Sequence, residues 1–271
     1  MGKFDRYLVK PDSKFSLDDI KPGDRSERGD SKAEDQAELA RLSTEINALQ
    51  DILYAQKKHK VLLVLQGMDA SGKDGTVKHV FSECDPLGIR LASFKGPTEE
   101  ELAHDYLWRV HSKVPKKGEI TIFNRSHYED VLIVKVHDWI DDKECKRRYE
   151  HIKDFERMLT ETGTTIIKCF LHISKDEQKE RMYERLNEPD KTWKFNPGDL
   201  DERDLWPKYM KAYEDAMQAT STKDAPWYTI PADSKTNRNL LISRILLETL
   251  SKLELNYPPV PESYKTIVVS D

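Results

Sequence analysis

The sequence predicts an α/β fold built on a parallel β-sheet, with a helical lid and an N-terminal helical extension. Two observations carry this. Several short runs are continuously apolar rather than alternating, as strands covered on both faces must be: VLLVL at 61–65, EITIF at 119–123, TIIKCFLHI at 165–173 and WYTIP at 227–231. Between and after them lie helix-like segments, Asp74–Glu83, Glu99–His111, Asp142–Leu159, Lys175–Leu186 and Asn239–Leu253. Strands alternating with helices wind into a parallel sheet.

Taken in order, residues 1 to about 30 are charged and turn-rich. A helix follows from Ser31 to about Gln56, because Ser31 with Glu34 three residues later forms a capping box. Leu39, Leu42, Ile46, Leu49 and Leu53 then give it one apolar stripe. From Lys60 the strand–helix alternation takes over. The expected organisation is an N-terminal extension over 1–58 and a main domain over 59–271 with a lid at about 178–212, forming one structural unit.

Composition narrows the functional classes. The 271 residues suffice for one sizeable α/β domain. The net charge of −5 argues against a general electrostatic grip on nucleic acid or an anionic membrane, so neither is an expected partner. The 44 lysines and arginines can still gather on one face and hold a polyanion. Cys84, Cys145 and Cys169 have neither CxxC nor metal-ligand spacing, which fits buried thiols in a reducing compartment. There is no signal-peptide pattern, and no apolar run approaches the roughly 20 residues that span a bilayer. A cytoplasmic location is expected.

The first chemical motif is QGMDASGKDG, in which Gly67, Gly72 and Lys73 satisfy G-x-x-x-x-G-K. It follows a predicted strand and opens a predicted helix, the context a phosphate-binding loop requires. Backbone N–H groups converge on one concavity there, and Lys73 adds a point charge. Asp74 stands where a Ser or Thr hydroxyl commonly meets Mg²⁺, so carboxylates must supply the metal's surroundings. Asp69, inside the loop, reads equally as a metal ligand and as a turn former. After the next strand comes Asn124-Arg125-Ser126-His127-Tyr128-Glu129-Asp130. Ser126 and Glu129 read as another capping box, which leaves Asp130 as the second metal-organising acid. Arg125 sits at the carboxyl edge of the sheet, where ligands gather. His127 and His137 lack helical i,i+4 metal spacing with each other and read as structural or exposed rather than as ligands.

Residues 181–209 carry Arg181 and Arg185 four apart on one helix face, then breaks at Pro189 and Pro197-Gly198 flanking Lys191, Trp193 and Lys194. A basic helical hairpin of this kind closes over phosphates and excludes water.

GMDASGKDG, SFKGPT at 93–98, FNRSHYEDV and ERLNEPDKTWKFNPGDL together resemble, in order, the motifs of the polyphosphate kinase 2 family. The resemblance runs from about Tyr7 to the C-terminal strand–helix pair. It implies a three-layer P-loop kinase fold and Mg²⁺-dependent, reversible transfer of phosphate between inorganic polyphosphate and nucleotides. Asp69 and Asp130 would organise metal and phosphates, with Lys73, Arg125 and the lid arginines Arg181 and Arg185 as the remaining catalytic groups. Gly67, Met68, Ala70, Ser71, Gly72, Asp74, Gly75, Lys95, Asn124, Glu129 and Lys194 would bind phosphate or nucleotide. Asn124, where other members carry Asp, resembles the subgroup acting on both nucleoside mono- and diphosphates, giving the course AMP to ADP to ATP. The same resemblance implies adenine nucleotides, with guanine nucleotides as a further class, and a homo-oligomer, dimer or tetramer. Two rival readings stay open: an ATP-dependent P-loop nucleotide or small-molecule kinase, and a phosphate- or nucleotide-binding module without turnover.

Overall fold

A computed structural model describes residues 4–11 and 13–269; residues 1–3, 12, 270 and 271, which fall within the two expected ranges, lie outside it. The chain first forms β1 (Leu8–Val9) and then α1 (Lys32–Gln56). The Ser31 Oγ accepts the Glu34 N–H at 3.1 Å, and the Glu34 carboxylate accepts the Ser31 N–H at 3.3 Å. The reciprocal cap read from the sequence is therefore present. Leu42, Ile46 and Leu53 bury one face of this helix.

The alternation that follows is β2 (Lys60–Gln66), α2 (Lys73–Val80), β3 (Ile89–Ser93), α3 (Glu99–Leu102), α4 (Trp108–His111), β4 (Ile120–Asn124), α5 (Ile133–Val136) and α6 (Asp142–Glu161). It continues as β5 (Thr164–His172), α7 (Lys175–Asn187), α8 (Gly198–Asp204), α9 (Trp206–Thr220), β6 (Trp227–Pro231) and α10 (Lys235–Ser251). The strands form one sheet in the order β1-β6-β5-β2-β4-β3. Val61 to Leu65 of central β2 are fully buried, which is why that strand reads as an unbroken apolar run. Helices α1, α2 and α10 pack together, as do α6 and α9, giving the three layers of a P-loop kinase fold.

Three expectations are corrected. The sheet is not wholly parallel, because β1 pairs antiparallel with β6, Leu8 opposite Tyr228. β3 was not foreseen; it is an edge strand whose mixed burial leaves no apolar run to read. The single helix expected over 99–111 is two short ones, because the Asp105 carboxylate accepts the Leu107 N–H at 3.0 Å and turns the chain locally. Cys145 and Cys169 are buried, Cys84 is partly so, and all three are free thiols. Among the described residues no helix is long and apolar enough to cross a membrane.

Candidate active site

The site forms where β2 and β4 end. Gly67 to Gly75 leave β2, turn, and enter α2, whose N-cap is Gly72. Gly67 and Gly72 have φ of 152° and 102°, values that side-chain-bearing residues rarely adopt, so glycine is required at both. Lys73 is buried, and its Nζ donates to the carbonyls of Gly67 at 2.7 Å and Met68 at 3.2 Å. Burial pushes this ammonium down from its ordinary pKa, against the opposing charge of Asp69.

Asp69 and Arg125 meet across the loop, Arg125 Nη2 donating to Asp69 Oδ1 at 2.8 Å. Burial pushes the Asp69 carboxyl up, but Lys73 and Arg125 together outweigh it and hold it below the usual carboxylate range. Arg125 reaches this position because its backbone turns left-handed, φ 60°, where β4 ends. Asn124 beside it donates Nδ2 to Asp74 Oδ1 at 2.6 Å, tying the strand's end to the first turn of α2.

The acid that shares this space with Asp69 is Glu129. Residues 127–131 form a 3₁₀ turn rather than an α-helix, so neighbouring side chains diverge by about a third of a turn. Ser126 caps Tyr128 instead of Glu129. Glu129 is thereby freed to face the loop, feeling the charges of Arg125 and Lys73, while burial raises its pKa. Asp130 is directed elsewhere: its carboxylate lies 3.8 Å from Arg109 Nη2, and its carbonyl accepts from Arg148. Burial lifts the Asp130 carboxyl to about 6 in spite of both arginines. Of the two acids expected beside the loop, Asp69 lines the cavity there together with Glu129, whereas Asp130 lies against Arg109.

The acidic turn is pinned from behind by a buried polar cluster. Lys168 Nζ donates to Glu156 Oε2 at 2.5 Å, to the Tyr128 hydroxyl at 2.9 Å and to the Thr220 carbonyl at 2.9 Å. The Tyr128 hydroxyl donates to Glu156 Oε1 at 2.9 Å, and His127 Nε2 lies 3.2 Å from the same oxygen. His127 is buried in this cluster, and His137 pairs with Glu202.

The lid arginines part company. All five N–H donors of Arg181 are used on the protein: Nε on Glu177, Nη1 on the carbonyls of Ala70 and Ser71, Nη2 on those of Ala232 and Asp233. It is buried beneath the loop and is not among the residues that line the cavity there. Arg185, one turn on, pairs with Asp199 Oδ2 at 3.4 Å, and its charge acts on Asp69. Lys95 and Lys194 are exposed. The Lys95 carbonyl accepts from Arg109, and Lys194 lies over the Trp193 ring, so neither is brought to the loop.

A cavity of about 200 Å³ lies against the loop, walled by Gly67, Asp69, Arg125 and Glu129 on one side and by Gly198, Asp199, Glu202 and Tyr213 on the other. The lid therefore sits over the loop. Asp199, placed among these carboxylates, is raised to about 6 by burial and by Asp69. The sequence reading missed Glu202, Tyr209 and Tyr213; the i,i+4 spacing of the two tyrosines was the available signal. A larger crevice of about 430 Å³, between Leu17–Pro22 and α9, includes none of the expected site residues.

Among the described residues no group of three or more His, Cys, Asp or Glu is placed to cage a metal ion. The oxygens that line the cavity against the loop include the carboxylates of Asp69, Glu129, Asp199 and Glu202. That set fits Mg²⁺, which is commonly held by one or two carboxylates and completes its shell with water and substrate phosphates.

The family model for polyphosphate kinase 2 matches residues 29–258. An AMP/ADP-polyphosphate phosphotransferase from Meiothermus ruber is 53% identical over 264 residues, covering 97% of this chain and 99% of that one. An ADP-polyphosphate phosphotransferase from Rhodopseudomonas palustris is 46% identical over 234 residues, 82% of this chain and 81% of the relative. The crystal structure of a polyphosphate kinase 2 from Arthrobacter aurescens superposes with a TM-score of 0.89 at 45% identity, covering 93% of this chain and 90% of that one.

Proposed function

The chain belongs to the polyphosphate kinase 2 family, and on that premise we propose that it transfers phosphate from inorganic polyphosphate to AMP and ADP, reversibly. The observation that carries the reading is that Asp69, Arg125 and Glu129 line one cavity under the lid, with the Lys73 ammonium on the loop carbonyls of Gly67 and Met68 beside it. In the forward direction an oxygen of the nucleotide's terminal phosphate attacks the end phosphorus of polyphosphate. The bridging P–O bond breaks, and a chain shorter by one phosphate leaves. Such transfer needs alignment and charge neutralisation more than covalent chemistry.

Lys73 exchanges its loop carbonyls for donor phosphate oxygens. Arg125 neutralises the transferring group, with Arg185 joining once the donor draws it from Asp199. Asp69 and Glu129 would hold Mg²⁺, which when bound draws charge from the phosphate oxygens and aligns them. The lid excludes water, protecting the transfer from hydrolysis. Because these contacts are to phosphates, the reading extends to guanine nucleotides. It also includes a homo-oligomer, supported by Leu87 and Leu91 exposed beside the β3 edge, and a cytoplasmic location, supported by three free thiols.

The test is ATP formation, read by luminescence, from polyphosphate, Mg²⁺ and either AMP or ADP. Product from both acceptors is expected. No ATP from either would refute the proposal, and ADP formed from AMP only when ATP replaces polyphosphate would favour the ATP-dependent rival.

A further inference from the structure

The phosphate loop is held from behind at three consecutive carbonyls. Asp69 O accepts from Gln178 Nε2 at 2.9 Å. Ala70 O accepts from Arg181 Nη1 at 3.0 Å. Ser71 O accepts from both Arg181 Nη1 and Arg238 Nη1, each at 3.1 Å. The three side chains come from two helices, α7 and α10, and all are buried. Arg238 also donates to Asn239 Oδ1, from Nε at 3.1 Å and Nη2 at 3.0 Å.

This arrangement matters because a trans peptide is planar, with its C=O and N–H pointing in opposite directions. Holding the carbonyls of residues 69 and 71 back toward α7 and α10 turns the amides of Ala70 and Gly72 the other way, into the concavity. Neither amide donates to a backbone carbonyl among the described residues, whereas the intervening Ser71 N–H closes a turn on Met68 O at 3.1 Å. The backbone that allows this is one few residues adopt: Ala70 lies at φ 61° and Gly72 at φ 102°. A Cβ on Gly72 would come within 1.8 Å of Arg238 Nη1, so the guanidinium occupies the space that a side chain would need.

The brace also reaches the lid. Arg203 of α8 donates Nη1 to Gln178 Oε1 at 2.8 Å, so the amide that holds the loop at Asp69 is itself held from the lid. Two guanidinium charges lie directly behind amides that would receive a polyanion. Buried cations placed there act through little intervening water.

We propose that Gln178, Arg181 and Arg238 are positioning residues for phosphoryl transfer, setting the direction of the loop amides and adding positive potential behind them. None of the three touches substrate. The inference rests on the reading that this loop receives polyphosphate phosphates, and its test separates the two.

Arg238→Met is compared with wild type by steady-state kinetics, by thermal unfolding and by amide hydrogen exchange of the 67–75 segment, without and with tripolyphosphate. The expected result is at least a tenfold rise in KM for polyphosphate, a change of less than twofold in KM for ADP, and faster exchange at 67–75. Tripolyphosphate should protect that segment in wild type and much less in the variant. Arg238→Lys, which keeps the charge but has no second arm to fix its direction, should recover part of the loss. If Arg238→Met does not fold, Gln178→Glu decides: it keeps the acceptor for Arg203 and removes the donor to Asp69, and the same kinetic and exchange changes are expected. A folded variant with KM and kcat for polyphosphate within twofold of wild type and unchanged exchange at 67–75 overturns the inference. If wild type itself forms no product from polyphosphate, the proposed function fails, while the exchange measured without ligand still tests the brace.

Discussion

Replacing Lys168 with Met should be among the most damaging single changes distant from the substrate. Lys168 has no exposed surface, and its three ammonium protons go to Glu156, Tyr128 and Thr220 at 2.5, 2.9 and 2.9 Å. Methionine matches the volume but supplies no donor. Glu156 is then left nearly solvent-free, with the Tyr128 hydroxyl and His127 as its partners. Removing one member of a buried pair typically costs about 3–5 kcal/mol. In a chain of this size each kcal/mol lowers the melting temperature by roughly 2–4 °C, so a fall of about 10 °C is expected. Circular dichroism melts at pH 7.5 measure it. The deficit should shrink on acidification. In wild type, burial pushes Glu156 up but Lys168 and His127 bring it below the ordinary value, so its contribution is present above a pH of about 4.3 and lost below. Without Lys168 the carboxyl rises, and protonating it at lower pH relieves the variant. Glu156→Gln in the same background should restore part of the loss, since the two changes are coupled. A melting temperature within 2 °C of wild type would refute the claim that this pair holds the core together.

Four further outcomes follow from the structure. Arg185→Met should lower kcat by about 10²–10³-fold with an unchanged melting temperature, whereas Arg181→Met, which strands buried carbonyls, should lower stability as well; equal effects on both readouts would contradict the roles given to them. Glu129→Gln should cost at least about 100-fold in kcat and Asp130→Asn far less, and the reverse ranking in steady-state assays would restore Asp130 as the metal-organising acid. His172, buried and held down to about 4 by desolvation, favours folding above its unfolded pKa of about 6.5 and loses this contribution as pH falls through 4 to 6. The displacement of about 2.5, at 1.36 kcal/mol for each, is roughly 3 kcal/mol, so denaturant titrations of His172→Gln should show a flatter pH dependence over that window. Chelation with excess EDTA should abolish transfer and added Mg²⁺ restore it; full activity in EDTA would remove the metal role of Asp69 and Glu129.

Much of this was legible in the sequence because it depends on local rules. The loop between β2 and α2 follows from an apolar run, glycines at fixed offsets and a lysine, and the start of α1 follows from a capping box. What stayed hidden depended on geometry that residue types do not encode. Which of Glu129 and Asp130 lines the cavity turned on whether 127–131 was α or 3₁₀, a difference of a fraction of a turn per residue. Arg181 and Arg185 share a helix face by spacing, yet one is buried under the loop and the other reaches the lid, because the loop approaches only one turn of α7. Edge strands such as β3 are half exposed and carry no continuous apolar signal. The Lys168 cluster unites residues from β5, α6, α9 and the acidic turn, and no pattern along the chain brings those together.

The pairing of β1 with β6 has a consequence for how the molecule comes into being. Leu8 lies opposite Tyr228, and Thr229 N–H donates to Tyr7 O at 2.8 Å. On a ribosome adding about 5–20 residues per second, the earlier partner emerges roughly 10–45 s before the later one. The first strand must therefore wait, unpaired, while the central strands β2, β4 and β5 can already assemble. A two-residue strand is a poor template for pairing with other chains in that interval. Closing this outer edge is a long-range, late step, because the sheet cannot be completed until β6 has been synthesised.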